Sequence, residues 1–551
     1  MFMSRQLFLF TLSGLSSLGY STLNASTAPL SIPPSLYWDG DNGRWSTFHI
    51  QVGTPAQTVR LLPGTSASAG STIWVVIPEG CVDVNPDLEN CLNERGYLFQ
   101  SNQSLTWSTQ GIKTGVDGAI FSLNTFEEGN LGLLGNGSYG YDTISLGLPG
   151  SGLPTLEKQV IAGIWTDDFY LGSLGLSPVP FNFTNLDDPQ PSMLGTLYNK
   201  SLIPSPSWSY TAGAYYQTPP VFGSLTLGGF DTTRFKPNNL TFAFGADFSR
   251  DLLVNLKSIT YDTAGSSPLL ASSIDVFIDS LVAEIWLPVD VCEEFAKQFN
   301  LTWNAQGQLY LVEEQAHAAL VKQNPAFTFT IGQESSQETI NIVLPYAAFD
   351  LNLTAPIVGN TSRYFPLKQA QNSTQYTFGR TFLQEAYVIA DYGRRNFSVS
   401  QALFSSTSVA QNIVAIEVPD ISNVHTVPNH GKKNKGSEMG KGAIAGVVIA
   451  AITVLTAAVF AAILWFKSQK KPREAPAESI TPPENPAVDV VLVPPPPELD
   501  GYKTSVHEID GHFSMNQELP AHEGHWGRHE LISEVSLHEL GGREVAPAAT
   551  R

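Results

Sequence analysis

Two stretches of the chain hold the residue types on which hydrolytic chemistry would depend. In Phe277 to Leu287, Asp279 is followed by the hydroxyl of Ser280 and flanked by two more acids, Asp275 and Glu284. In Leu61 to Ser68, Pro63-Gly-Thr-Ser66 offers two hydroxyls and no acid, and no Asp or Glu occurs from Val59 to Ile77. Two facing carboxylates that share one proton can hydrolyse an amide, one acting as base on a water while the other donates to the carbonyl. Like charges at that distance cannot both ionise, so their titrations split. A lone carboxylate lacks half of this machinery.

Other chemistries find little support. The globular part contains His49 and His317 alone, far apart in sequence, and no Cys-x-x-Cys or Gly-x-Ser-x-Gly motif. Neither metal ligation nor a nucleophile triad is expected, and no cofactor. In the C-terminal tail, His507-Glu-Ile-Asp-Gly-His512 spaces its histidines five apart instead of four, so on a helix they would not share a face.

The elements around the two stretches resemble the pepsin-like aspartic proteases, peptidase family A1. Ile50-Gln-Val-Gly-Thr-Pro-Ala-Gln57, then Val59-Arg-Leu-Leu-Pro-Gly-Thr-Ser66, then Ile73-Trp-Val75 follow the order of that family's "GTPxQ" hairpin, Asp-Thr-Gly-Ser tetrad and "LWV" strand. Gly140 to Gly147 resembles the strand after the family's flap, and Gly172-Ser-Leu-Gly-Leu176 its "GILGL" segment. The second half repeats the plan with Gly223-Ser-Leu-Thr-Leu-Gly-Gly-Phe-Asp231, with Ile278 to Pro288 and with Tyr376 to Phe382. The resemblance spans roughly residues 36 to 405 and implies a bilobal, all-β fold with a cleft between the lobes.

Against that pattern both tetrads are altered. Counting residues puts Pro63 on the first catalytic aspartate, with Gly64, Thr65 and Ser66 on the rest of the tetrad. Proline offers neither a carboxylate nor a backbone N–H. The second tetrad keeps Asp279 and Ser280, but Leu281 replaces the glycine, whose lack of a Cβ lets backbone approach closely, and Val282 replaces the second hydroxyl. An ungapped count from Asp142 puts the family's flap tyrosine on Asn130. The resemblance therefore implies a pseudoprotease in which Asp279 is an inherited carboxylate without chemistry. The competing reading is a working endopeptidase in which Asp275 or Glu284 restores the pair. A different register at Pro63 would supply no acid.

Met1 to Thr27, with Arg5 ahead of Leu7-Phe-Leu-Phe-Thr-Leu12, reads as a secretory signal. Gly442 to Phe466 is an unbroken apolar run long enough for a hydrocarbon core of about 30 Å, and basic residues lie on both sides of it. The signal orients the chain as a single-pass type I protein, expected at the plasma membrane with its N-terminal part outside. Asn-x-Ser/Thr sequons at Asn102, Asn136, Asn182, Asn199, Asn239, Asn300, Asn352, Asn360, Asn372 and Asn396, and at Asn24, all precede the span. Cys81 and Cys91 can close a short disulfide loop in an oxidising compartment, and Cys292 is left as a buried thiol.

The net charge is −20, and residues 467–551 carry 8 basic and 14 acidic side chains, so most of the excess lies before the span. Such a balance disfavours nucleic acid as a partner. The organisation read from the sequence is a signal at 1–27, an N-terminal β lobe at 28–208, a C-terminal β lobe at 209–405, a stalk at 406–441, a span at 442–466 and a disordered cytoplasmic tail at 467–551.

Short β-branched and aromatic runs cut by Gly, Pro and Asn fill both lobes. Leu287 to Phe299 and Met193 to Lys200 are the expected helices, and Gly307 the expected turn of a hairpin after Asn300. In the tail, Pro494 to Pro497 reads equally as a dock for an SH3 or WW domain and as a plain linker, and the recurrent His-Glu-Leu reads as short motifs for a linear-motif-binding protein. Signal, span and tail together look like the membrane-attached pepsin-like proteins of filamentous fungi. The expected role is a surface receptor, sensor or scaffold for a peptide or glycan held in the cleft.

Overall fold

The structure is a computed structural model that describes residues 27–419, apart from 67–68, 83–89, 113–118, 124–125, 184–187, 263–267 and 405–408. The signal, most of the stalk, the span and the tail lie outside the described residues. Among those described, no helix is long and apolar enough to cross a membrane.

Both lobes are built from mainly antiparallel strands, with parallel pairs at their centres, and the central strands Trp45–Val52 and Ser207–Ala214 are buried along their whole length. In the N-terminal lobe an eight-stranded sheet runs from Pro34–Asp39 to Ile120–Ser122, with Trp45–Val52 and Gln57–Gly64 at its heart. These two strands meet at the Gly53-Thr-Pro turn, where Gly53 has φ +85, a backbone angle that side chains with a Cβ rarely adopt. In the C-terminal lobe a seven-stranded sheet takes in Leu253–Tyr261, Ile274–Ile278 and Ile285–Pro288. A six-stranded sheet joins the halves, pairing Leu30–Ile32 with Val221–Leu227 and Ser207–Ala214 with Ala386–Asp391.

The helix Val289–Phe299 buries Val291, Cys292, Phe295 and Phe299 on one face, as their spacing predicts, and ends at Asn300 in the left-handed region. That face packs on Phe327 and Phe365, and Phe349 stacks on Phe365 at 4.7 Å between ring centroids. Truncating one such buried ring costs about 3–5 kcal/mol. Met193–Asn199 is the second expected helix, capped by Ser192. Glu314–Gln323 and Arg380–Glu385 are further helices that the sequence pattern does not announce. The hairpin of Thr302–Asn304 with Leu309–Leu311 forms as expected, but Gln308 takes the positive φ (50°), while Gly307 donates its N–H to Asn304 Oδ1. Trp303 is half-buried against Tyr310, in keeping with a packing role.

Cys81 and Cys91 form a disulfide with a Cα–Cα distance of 5.7 Å. Cys292 is buried, and burial pushes its thiol well above the usual range. The side chains of Asn102, Asn136, Asn199, Asn239, Asn300, Asn352, Asn360 and Asn372 are exposed; Asn182 and Asn396 are half-buried.

Candidate active site

The two strands that approach the cleft floor end in loops tied together across the lobes. Thr65 N–H donates to Ser280 Oγ at 3.0 Å, and Ser280 N–H donates back to Thr65 Oγ1 at 2.9 Å. Ser280 Oγ also donates to the Pro63 carbonyl at 2.6 Å. The hydroxyl of Ser280 thus pins the loops, and Val282 is not needed for it.

This reciprocity fixes which residues are equivalent. Thr65 mirrors Ser280, so Gly64, and not Pro63, mirrors Asp279. Strand register agrees: Pro63 pairs with Leu174 in a parallel ladder as Ile278 pairs with Phe378, which leaves Gly64 and Asp279 as the next residues. The residue count that put Pro63 on the lost aspartate is therefore off by one. Pro63 has no N–H to give the ladder, and next to it the Gly64 carbonyl accepts from Leu176 N–H at 3.0 Å. A Cβ on Gly64 would stand 2.4 Å from Ser173 Oγ and 3.7 Å from Leu281 Cδ2, so the vacated space has been filled.

The second carboxylate comes from elsewhere. Ile120–Ser122 pairs with Asn136–Leu146, and the loop between them, in the flap position, carries a short helix, Phe126–Asn130. Its first turn buries Glu127 and Glu128. Glu128 Oε1 accepts from Ser66 Oγ at 2.8 Å. Asp279 Oδ1 accepts from Leu281 N–H at 2.9 Å. The other oxygen of each, Glu128 Oε2 and Asp279 Oδ2, is buried without a hydrogen-bond donor, and the two carboxyls lie close enough to act on one another's ionisation. Both residues have 0 % exposure.

Two acceptors in contact need a proton between them. Burial, then the Asp279 charge, holds the Glu128 carboxyl well above the ordinary carboxylate range. Burial also raises Asp279, to about 6, with the Leu281 N–H and the Glu128 hydrogen bond pulling the other way. Both acids are thus held above the ordinary carboxylate range, and one proton shared by the pair serves both. Asp275 and Glu284, the acids nearest Asp279 in sequence, do not fill this place. Asp275 accepts from Asn255 Nδ2 at 2.8 Å, and Glu284 lines a separate cavity.

The altered C-lobe motif forms the floor on which the flap rests. Val282 packs with Leu131, Trp286 and Ala370, and Leu281 packs beside Trp74. Asn130, the position counted as the flap tyrosine, donates Nδ2 to Thr374 Oγ1 at 2.8 Å, and its carbonyl accepts from Gln375 Nε2 at 2.6 Å. A cavity of about 220 Å³ lies beyond, lined by Asp41, Trp45, Leu133, Leu281, Glu284 and Arg380 among others, and includes neither Glu128 nor Asp279. Arg380 reaches from it to the Ser280 carbonyl at 2.8 Å, and burial raises Asp41 to about 7. Among the described residues no cluster of three or more His, Cys, Asp or Glu is arranged to hold a metal ion.

A family model described as eukaryotic aspartyl protease matches residues 47–402. The chain belongs to that family. It is 23% identical over 390 residues to the Aspergillus oryzae protein named "Probable aspartic-type endopeptidase opsB", across 68% of this chain and 71% of the relative. Among solved structures it matches the aspartic proteinase from Irpex lacteus at TM-score 0.45 and 17% identity, over 69% of this chain and 99% of that one.

Glu128 is the site residue that sequence reasoning missed. A local sign exists, two adjacent acids in an otherwise Gly- and Leu-rich loop, two residues before Asn130. Nothing local says that they turn inward.

Proposed function

We propose that this aspartyl protease relative is a pseudoprotease whose cleft serves binding, in a single-pass surface glycoprotein that acts as receptor, sensor or scaffold for a peptide or glycan. One observation carries the reading: the partner of Asp279 is Glu128, on the flap itself. A substrate enters such a cleft by displacing the flap, and displacement takes Glu128 away. The open cleft then has one carboxylate, and the closed cleft has two but no exposed oxygen on either. The acid pair and access to substrate exclude one another, so the water activation of a two-carboxylate mechanism has no state in which to occur. The cavity of about 220 Å³ is also below the roughly 300–1,000 Å³ of sites that enclose a ligand.

The apolar run at 442–466, the signal at 1–27 and the eight exposed sequon asparagines support the membrane and glycoprotein parts of the reading. The alternative, an acid endopeptidase with a Glu128–Asp279 dyad, draws on the facing carboxyls and on the relative's printed name. Incubating the full-length chain with a diverse peptide library from pH 3 to pH 7 separates the two. The expected result is binding of some peptides without cleavage. Cleavage lost in both Asp279→Asn and Glu128→Gln would establish the working dyad instead.

A further inference from the structure

The flap is docked by few polar contacts, and the innermost one needs a proton. Besides the acid pair, the helix Phe126–Asn130 is held to the C-lobe by the Asn130 side chain and carbonyl, on Thr374 and Gln375, and by Leu131 against Val282 and Trp286. We propose that Glu128 and Asp279 form a proton-operated latch: with one proton shared, the flap helix stays down and the cleft is shut, and loss of that proton releases the helix and opens the cleft to its ligand. The inference rests on the reading of the cleft as a binding groove closed by its own flap.

The charges around the pair decide whether it can act alone. Glu127, on the same helix, adds a negative charge that opposes ionisation of both acids. The Phe248–Arg250 turn brings Arg250 to Glu127, with Asp247, Asp251 and Asp275 around that guanidinium or that carboxylate. Arg380 is the cation that acts on Asp279, and it ranks last among the influences there. Ser66 and the Ser373–Gln375 turn bring no charge, and Glu284 lies in the cavity beyond Val282. Among the described residues no cation donates to Glu128 Oε2 or Asp279 Oδ2, so two carboxylates there would repel in a dry site.

The direction follows from linkage. Both acids titrate higher when docked than in water, so the docked state binds the extra proton. Docking is strongest below about pH 4, where the released carboxyls would also be protonated, and it is lost as pH rises through the docked values. Asp279 titrates at about 6 in the docked state, and the last shared proton, held with Glu128 well above the ordinary carboxylate range, leaves after it. For each proton that the docked state holds in excess of the open one, the opening equilibrium grows about tenfold per pH unit.

Hydrogen exchange on the full-length chain in detergent reads this directly. The amides of Leu131 and Leu133 both donate to the Glu128 carbonyl and mark the docked turn. Their protection, corrected for intrinsic exchange, is expected to fall at least about 100-fold from pH 4 to pH 7 in the wild type. In Glu128→Gln the amide donates to Asp279 without needing a proton, and protection is expected to stay high and flat. In Glu128→Ala it is expected to be low at every pH, while the strands of the lobes keep theirs. Equal slopes in wild type and Glu128→Gln, or no slope in wild type, would overturn the latch. Cleavage of the peptide library would instead overturn the reading beneath it, so the two failures are distinguishable.

Discussion

Ser280 is the residue on which the tie between the two lobes most depends. Its hydroxyl accepts from Thr65 N–H and donates to the Pro63 carbonyl, and all three groups are buried. Ser280→Ala deletes both bonds without changing backbone or volume much. It strands the Thr65 N–H, a loss of about 1–3 kcal/mol, and removes a second bond with a net worth of about 1 kcal/mol. The expected cost is about 2–4 kcal/mol in urea unfolding at pH 5. Thr65→Val should cost about 1–3 kcal/mol, because it leaves the Ser280 N–H unpaired while its own N–H keeps Ser280 Oγ. Since the residues touch, the double variant should fall short of the sum by about 0.5–3 kcal/mol. A cost below about 0.5 kcal/mol for Ser280→Ala, typical of an exposed substitution, would refute the reciprocal tie and with it the equivalence of Gly64 and Asp279.

Restoring an acid at Gly64 should not restore cleavage. Gly64→Asp puts a Cβ 2.4 Å from Ser173 Oγ and adds a third carboxyl to a pair that already shares one proton. A loss of about 1–3 kcal/mol from crowding and an unchanged peptide library are the expected outcomes in unfolding and cleavage assays. Glu385 is a buried acid away from the cleft, raised by burial to about 8 and partnered by the Tyr216 hydroxyl and Gln401. Its raised value makes the protonated form the native one. Its contribution, at most about 5 kcal/mol, is whole below about pH 4.5 and lost as pH rises through 8. Glu385→Gln should therefore flatten the alkaline arm of the stability profile measured by urea unfolding. Reducing the Cys81–Cys91 bridge, which closes a loop with a sequence separation of 10, should lower stability by about 2–3 kcal/mol in the same assay with and without reductant.

The fold was legible because its signals are local. The Gly53-Thr-Pro turn and the spacing of Val291, Cys292, Phe295 and Phe299 each dictate geometry within a few residues. The short helix Arg380–Glu385 is wholly buried and so shows no amphipathic period, which is why it escaped notice. The lobe tie at Thr65 and Ser280 was legible in kind but misplaced by one residue. A residue count cannot see which N–H meets which hydroxyl, whereas the reciprocal bonds do. Glu128 was out of reach for a different reason. Its contact with Asp279 joins two lobes, and what turns it inward is the apolar floor made by Leu281 and Val282. Those two substitutions looked like loss when the motif was read alone. Beneath Leu131 and Leu133 they are the surface that seats the flap.

The shared proton between Glu128 and Asp279 is the most direct point of test. Difference infrared spectroscopy of the full-length chain, with carbon-13 in the carboxylates, can follow a protonated carboxyl that persists to near-neutral pH. Burial keeps Asp41, Asp251 and Glu385 protonated at about pH 6 as well, and the account predicts one further buried protonated carboxyl in the wild type, lost in both Glu128→Gln and Asp279→Asn. A wild-type spectrum at about pH 6 that matches those of both variants, with no protonated carboxyl lost on either substitution, would contradict the pairing.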